Sequence, residues 1–428
     1  MKKNLNIKIH EITRVEGHGN IVIDVKNGKI KELKLEIIES PRFFEAMLRG
    51  RRYDEAQHIM SRICGICAVS HTSASLKAIE SAMDIKISKQ AELLRKLAFY
   101  GETLQSHILH LFFLVLPDLA GVGSIVPLLA SHPELARTGL ELKRLANDIC
   151  AVVGGRHIQP ISLFPGGVVH TPKPKELKRL REALAGSFEG LDRMLAFLND
   201  HPVQEFNLKR EYISLKDRGE YGLYNGDPVS SNGYAFKPES YTKKIKEYVV
   251  EHSAAKHART KGTFMVGALA RLNNSFRQLS PRAKAAAKKA KLTVPSYNPF
   301  LNNIAQLVEC YHSTEKAISV IDKLLLMGPK PEPVKKPKAW GRGFGVVEAP
   351  RGTLYHEYKI NKNGLIEKAV CIIPTAQNLR SIEDDLRSFV PELLGRPKAE
   401  IARAVEALVR AYDPCISCST HIMDVKFA

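Results

Sequence analysis

Cys64-Gly65-Ile66-Cys67 and Cys415-Ile416-Ser417-Cys418 decide how this chain is read, the second pair ending only ten residues before the last residue. Cysteines two residues apart can place both sulfurs on one ion, so two such pairs make a four-thiolate set for a soft metal. About 350 residues lie between the pairs, where a zinc ribbon has roughly 15–20. If all four sulfurs serve one centre, the first and last parts of the fold must meet in its middle. A closed tetrahedral zinc site would use the same four ligands, so spacing alone leaves the metal open.

Working outward, the 428 residues would by length alone suggest two or three domains. The longest apolar run, 108–116, is nine residues long and contains His110, too short for the roughly 20 residues of a membrane span. Met1-Lys2-Lys3-Asn4 leads straight into a strand-like alternation without a signal-peptide apolar region, so a cytoplasmic protein is expected, although a carrier subunit could still export it. Cys150, Cys310 and Cys371 fall in apolar stretches and read as buried, inert thiols. The 64 Lys and Arg against 45 Asp and Glu give a net charge of +19. That surplus is spread out: its densest parts, 282–291 and 330–338, read as an exposed Ala/Lys helix and a Pro/Lys loop. Neither interleaves aromatics, so a solvated or protein-docking face is expected and nucleic acid is not.

The first forty residues alternate like strands around Ile7, 21–25 and 33–38, with Asn27-Gly28 as a hairpin turn. Val69, Leu76, Ile79 and Met83 then recur at helical spacing, placing a helix directly after the first cysteine pair. The stretch 91–116 is apolar on most faces, as in the centre of a bundle, and Pro117 is expected to stop it. Further helical patterns cover 133–153, 174–198, 238–257, 300–327 and 397–411. Strand-like runs return at 344–349, 353–361 and 364–373, and Gly and Pro cluster in loops at 154–171 and 328–345. The expectation is a mainly helical α+β fold, a central helical bundle with small antiparallel sheets near both chain ends, forming a single unit over 1–428.

Around the cysteines the motifs are denser. Arg14-Val15-Glu16-Gly17-His18 precedes the first pair, which has Arg62 before it and His71 four residues after Cys67. Asp413-Pro414 leads into the second pair, and His421 follows three residues after Cys418. Between them stand Gly154-Gly155-Arg156, Pro165-Gly166-Gly167, Glu348-Ala349-Pro350-Arg351-Gly352 and Ile373-Pro374-Thr375. In this order the set closely resembles the large subunit of nickel–iron hydrogenases over essentially the whole chain. Pro41-Arg42-Phe43-Phe44-Glu45 and the form of the second pair resemble the soluble cytoplasmic branch of that family.

The resemblance implies a catalytic subunit running H2 ⇌ 2H+ + 2e− at a nickel–iron centre whose iron carries carbon monoxide and cyanide. It implies Cys64 and Cys415 as terminal nickel ligands, with Cys67 and Cys418 bridging the two metals. Glu16 would relay protons from the terminal Cys415, and Arg351 would hold its guanidinium over the open metal face. Pro350 and Thr375 would surround the diatomic ligands, Thr375 as a hydroxyl donor, and His71 would donate to a bridging cysteine. Glu45, His421 and the backbone carbonyl of Cys371 would hold a magnesium ion. Ser106 stands where exported relatives often carry an aspartate, so the charges around Arg351 are expected to differ here. The seven residues 422–428 look like the extension that a maturation protease removes once nickel chaperones have loaded the site.

The chemistry suits these residue types. Cleaving dihydrogen needs a soft metal with an open position beside a base that takes the proton. The chain has no cysteines to spare for iron–sulfur clusters, so electrons must leave through a small iron–sulfur subunit, with flavin- or nicotinamide-binding subunits expected beyond it. Three alternatives stand beside this reading. A membrane-associated hydrogenase subunit commonly has an arginine where His421 stands. The quinone-site subunit of respiratory complex I lacks the four cysteines. A four-cysteine zinc scaffold with a basic docking face would be no enzyme at all.

Overall fold

A computed structural model of the protein describes residues 4–421. The extension expected at 422–428 lies outside the described residues. At the centre is the helix Lys89–Ile108, buried on nearly every face and packed between Pro133–Gly154 and Asn302–Met327. Apolar residues lie on most of its faces, and buried polar side chains among them are paired, Arg95 with Glu80 and His107 with Glu309, so it can occupy the middle of the bundle. Pro117 does not end it. Leu109–Val115 winds as a wider π turn, and Pro117 sits in the first turn of a short helix, Leu116–Leu119, that carries the axis onward. A proline lacks only its own N–H, and a locally widened turn absorbs that loss.

Leu5–Ile9, Gly19–Lys26 and Lys29–Ile37 pair antiparallel as expected, and the turn has φ of 54° at Asn27 and 76° at Gly28. Both central residues need left-handed backbone there, which Asn-Gly supplies. This sheet is not confined to the N-terminus. Its far edge takes Ser253–Arg259, parallel to Lys29–Ile37, and then Lys246–Val250. The helix expected over 238–257 is therefore corrected to a 3-10 turn at Pro238–Ser240, one helical turn at Tyr241–Lys244 and a hairpin. Val249 and Val250 favour extended backbone, and the open sheet edge gives it partners.

A second sheet, Phe264–Met265, Glu211–Lys216, Asp227–Ser230 and Tyr234–Ala235 in that order, lies mid-chain and also mixes parallel with antiparallel pairs. The small sheets are thus neither all antiparallel nor only terminal. The expected helix over 174–198 divides into Pro174–Gly186 and Phe188–Asp200. Gly186 weakens the join, and the Ser187 hydroxyl donates to the Leu184 carbonyl at 2.8 Å.

Towards the C-terminus, Arg342–Ala349, Gly352–Ile360 and Ile366–Ile372 form an antiparallel meander. The helix Ala68–Ala82 lies directly on its first strand. Contact is so close that a Cβ at Gly343 or Gly345 would overlap the carbonyls of Ala78 and Ala74. The helix Pro374–Leu393, absent from the sequence expectation, follows the meander with Pro374 in its first turn. One contiguous apolar core runs from Leu5 to Cys418 and includes all four paired cysteines.

Candidate metal centre

Cys64 is the extended residue that ends the 3-10 turn Ser61–Ile63, and Cys67 is the N-cap of Ala68–Ala82. The first pair therefore spans a turn feeding a helix N-terminus, where unpaired amides favour negative sulfur. Ile66 and Cys67 N–H groups both donate to Cys64 Sγ at 3.2 Å.

The second pair arrives through Asp413, whose φ of 52° turns the chain, and Cys415 caps the short helix Ile416–Ser419. Cys415 N–H donates to Thr375 Oγ1 at 2.9 Å. Glu16 bridges Cys415 as in a parallel strand, its carbonyl accepting from Ile416 N–H at 2.9 Å. Gly17 makes that approach possible: a Cβ there would stand 2.7 Å from Ile416 Cβ and 2.8 Å from Ser417 N, and its φ is +86°.

The two ends of the chain thereby converge. Cys64 and Cys415 sulfurs are 3.5 Å apart, Cys67 and Cys418 3.7 Å, and Cys415 and Cys418 2.8 Å. All four lie within 4.8 Å of one another and all are buried. Hydrogen bonds from Cys415, Cys418 and Cys67 hold the Cys64 thiol well below its ordinary range, while burial pushes Cys415 up and Cys418 to about 11. Four sulfurs this close in a dry pocket cannot all ionise without a cation, so binding one would expel the remaining thiol protons. The donor set fits a soft metal.

Arg351 is buried beside them. It donates from Nε to Asp413 Oδ1 at 3.1 Å and to Ser106 Oγ at 2.9 Å. Burial alone would lower its affinity for the proton, but Asp413 and the sulfurs of Cys415 and Cys64 more than reverse this. Asp413 is held in turn by Gln306 Nε2 at 2.8 Å. Ser106 thus meets this guanidinium with a neutral hydroxyl and Asp413 with a carboxylate.

Glu16 is half-buried and its Oε2 accepts from Ser417 N–H at 3.1 Å. It does not pair with Arg14, which is turned to Asp118 and the Leu114 carbonyl. His71 Nδ1 meets His356 Nε2 at 3.2 Å, and His356 Nδ1 meets the Tyr358 hydroxyl at 2.8 Å. Burial pushes His71 down to about 4, leaving a neutral ring.

Glu45 Oε1 accepts from Cys371 N–H at 2.6 Å, while its Oε2 and both ring nitrogens of His421 are buried without a partner. His421 packs edge-on against Phe44, with ring centroids 6.0 Å apart. Burial raises Glu45 to about 7 and lowers His421 to about 3. Orphaned acceptors of this kind are what a missing cation would satisfy.

Residues 42–136 and 237–421 match the family profile described as nickel-dependent hydrogenase. The chain belongs to the nickel-dependent hydrogenase family. It is 37% identical to the sulfhydrogenase 1 subunit alpha of Pyrococcus furiosus, over 98% of each chain. It is 30% identical to the NAD-reducing hydrogenase HoxS subunit beta of Cupriavidus necator, over 97% of this chain and 94% of that one. The structure of an NAD+-reducing [NiFe]-hydrogenase in its H2-reduced state superposes with a TM-score of 0.89 at 30% identity, covering 98% of this chain and all of the other. The protein is thus a catalytic large subunit of a [NiFe]-hydrogenase, an oxidoreductase with a nickel- and iron-binding cysteine centre. Among the described residues no helix is long and apolar enough to cross a membrane.

Sequence reasoning missed several supports of this hydrogenase centre. Arg271 forks onto Glu309 with two 2.6 Å bonds, reaches Glu348 at 2.9 Å and donates to the carbonyls of Ala349 and Pro350. It thereby fixes the loop that presents Pro350 and Arg351. Glu102, pushed up to about 8 by burial, accepts the Ser70 N–H at 2.8 Å and that of Val69 at the start of the Ala68–Ala82 helix. Glu348 stood inside a quoted motif, but nothing local marked Arg271 or Glu102.

Proposed function

We propose that this chain catalyses H2 ⇌ 2H+ + 2e−, with nickel and iron held by Cys64, Cys67, Cys415 and Cys418. The observation carrying this reading is the convergence of those four sulfurs within 4.8 Å from opposite ends of the chain. The nickel–iron pair, with carbon monoxide and cyanide on iron, supplies the soft, open position at which dihydrogen is split.

This chain's residues do the rest. Cys64 and Cys415 would serve as terminal ligands, and Cys67 and Cys418 would be shared between the two metals. Glu16, bridged to Cys415 and anchored on Ser417 N–H, takes the proton released beside Cys415 and passes it outward. Arg351, held on both sides by Asp413 and Ser106, keeps a fixed cation facing the centre. Thr375 accepts from Cys415 N–H, so its hydroxyl proton would be free for a cyanide nitrogen, and Pro350 would stand beside the same diatomic ligands. His71, neutral and steadied on Nδ1 by His356, would donate from its other nitrogen to a bridging sulfur.

Glu45, His421 and the Cys371 carbonyl hold magnesium, which ties residue 421 to the core. The chain works as one unit, and 422–428 is an extension removed by a maturation protease after nickel chaperones have loaded the site. All seven cysteines are accounted for by the centre and by three separate buried thiols. Electrons therefore pass to a small iron–sulfur subunit and onward to flavin- or nicotinamide-binding subunits, in the cytoplasm. Hydrogen-dependent dye reduction by the purified complex, with nickel and iron in equal amounts, tests this reading. Zinc alone and no turnover would overturn it.

A further inference from the structure

Away from the cysteines, His252, His257 and Glu383 bring one ligand atom each to within 4.8 Å of one another. His252 occupies the turn between Lys246–Val250 and Ser253–Arg259, His257 stands on the second of those strands, and Glu383 projects from the helix Pro374–Leu393. Glu383 Oε1 accepts from His252 Nε2 at 2.7 Å and from Leu35 N–H at 3.1 Å. His257 is 1% exposed, and neither of its ring nitrogens has a partner. A neutral imidazole has one donor and one acceptor, so burying both unmet is unfavourable unless something else arrives to meet them. The other near neighbours of His257 are the Tyr248 ring, with centroids 5.8 Å apart, and Arg380, which is engaged with Asp384 at 3.1 Å.

We propose that His252, His257 and Glu383 form a second, structural metal site for a zinc-class divalent cation, with water in the fourth position. Two imidazoles and one carboxylate are a set that zinc takes readily, whereas magnesium and calcium prefer all-oxygen ligands. Bonds of about 2.0–2.1 Å in a tetrahedron place ligand atoms roughly 3.3 Å apart. The His252–Glu383 hydrogen bond therefore opens by about half an ångström as His257 swings in. His252, with a side chain 19% exposed, is the entry edge.

A cation here ties the 246–259 hairpin to the helix whose first turn carries Thr375, the residue that accepts from Cys415 N–H. It stiffens one wall of the cysteine centre without touching it. The rival reading is a His–Glu hydrogen bond beside a histidine packed as an apolar ring. That reading leaves His257 unmet and predicts no stoichiometric metal.

The holoenzyme, with its nickel–iron centre in place and magnesium in excess, is treated with a mild chelator and titrated with Co2+. The expected result is one equivalent bound, with visible d–d bands of a low-symmetry nitrogen/oxygen site that Zn2+ abolishes. His257→Gln loses that equivalent and its bands while keeping the wild-type Ni:Fe ratio and circular dichroism. His252→Gln, at the exposed edge and safe for folding, weakens binding at least tenfold. Glu45→Gln leaves the cobalt signal unchanged, separating this site from the proposed magnesium site. Absence of a stoichiometric cobalt signal in the unaltered protein, or uptake by both histidine variants equal to that of the unaltered protein, overturns the proposal.

Discussion

Glu16→Gln separates the role of this residue in holding the fold from its role in moving protons. The amide is nearly the same shape as the carboxylate, and its oxygen can still accept from Ser417 N–H, now 3.1 Å from Oε2. What the fold loses is the difference between a charge-assisted and a neutral hydrogen bond at a half-exposed position, about 1 kcal/mol or less. The backbone bridge to Cys415 does not involve the side chain, so the sulfurs stay where they are. What turnover loses is the only change the amide enforces, the capacity to take a proton. A positioned acid–base group contributes about 10²- to 10⁴-fold, or roughly 3–5 kcal/mol of barrier. The variant should therefore load nickel and iron normally and unfold within about 1 kcal/mol of wild type, with dye reduction lowered at least about a hundredfold. Glu16→Asp, which retracts the carboxyl by one bond of about 1.5 Å, should fall between the two. The assay is hydrogen–deuterium exchange alongside dye reduction, with metal content measured on the same sample. Exchange within twofold of wild type at full metal content would refute the relay.

Arg271→Met strands the carboxylates of Glu309 and Glu348 in the core and should cost about 3–5 kcal/mol in denaturant unfolding; a loss under about 1 kcal/mol would remove the structural role assigned to this fork. Gly345→Ala places a methyl on the Ala74 carbonyl, so the helix after the first cysteine pair must lift from its strand. Poor nickel retention together with lowered stability is the expected result, and an unchanged protein would contradict the close packing. His312 is buried, accepts from Ser280 N–H at 3.1 Å and is pushed down to about 3 by burial. Its stability contribution is complete above the unfolded value of about 6.5 and declines as pH falls from there towards 3, by about 2 kcal/mol at pH 5. His312→Gln should lower the pH dependence of unfolding by one proton in that window; an identical slope would contradict it. For the magnesium site, elemental analysis should find about one magnesium per chain, lost in Glu45→Gln, and a magnesium-free active enzyme would count against it.

The parts of this molecule that could be read from sequence share one property: their cause is local. Asn27-Gly28 dictates its own turn, and the heptad-like spacing from Val69 to Met83 dictates its own helix. The cysteine motifs state their chemistry in four residues, which is why the centre was legible while 350 residues still separated its halves. What failed had causes elsewhere in the chain. Residues 246–259 become strands because Lys29–Ile37 leaves an open edge beside them, and no window around Val249 contains that edge. Pro117 reads as a stop until the π turn before it is seen. Arg271 looks like any arginine until Glu309 and Glu348 are brought against it, and His257 like any histidine of the helix expected over 238–257 until the strand places it beside Glu383.

The Asp413–His421 segment that completes the centre is synthesised about 350 residues after the first cysteine pair. A ribosome adds roughly 5–20 residues per second from the N-terminus, so Cys64 and Cys67 emerge long before their counterparts exist. For most of translation the first pair is an unfinished chelate on a helix end, exposed to whatever thiophilic ion is nearby. Assembly of the working metal pair must wait until the second cysteine pair has been made. A chain that stalls before Cys415 cannot yield a partly active enzyme, because it lacks half the ligands.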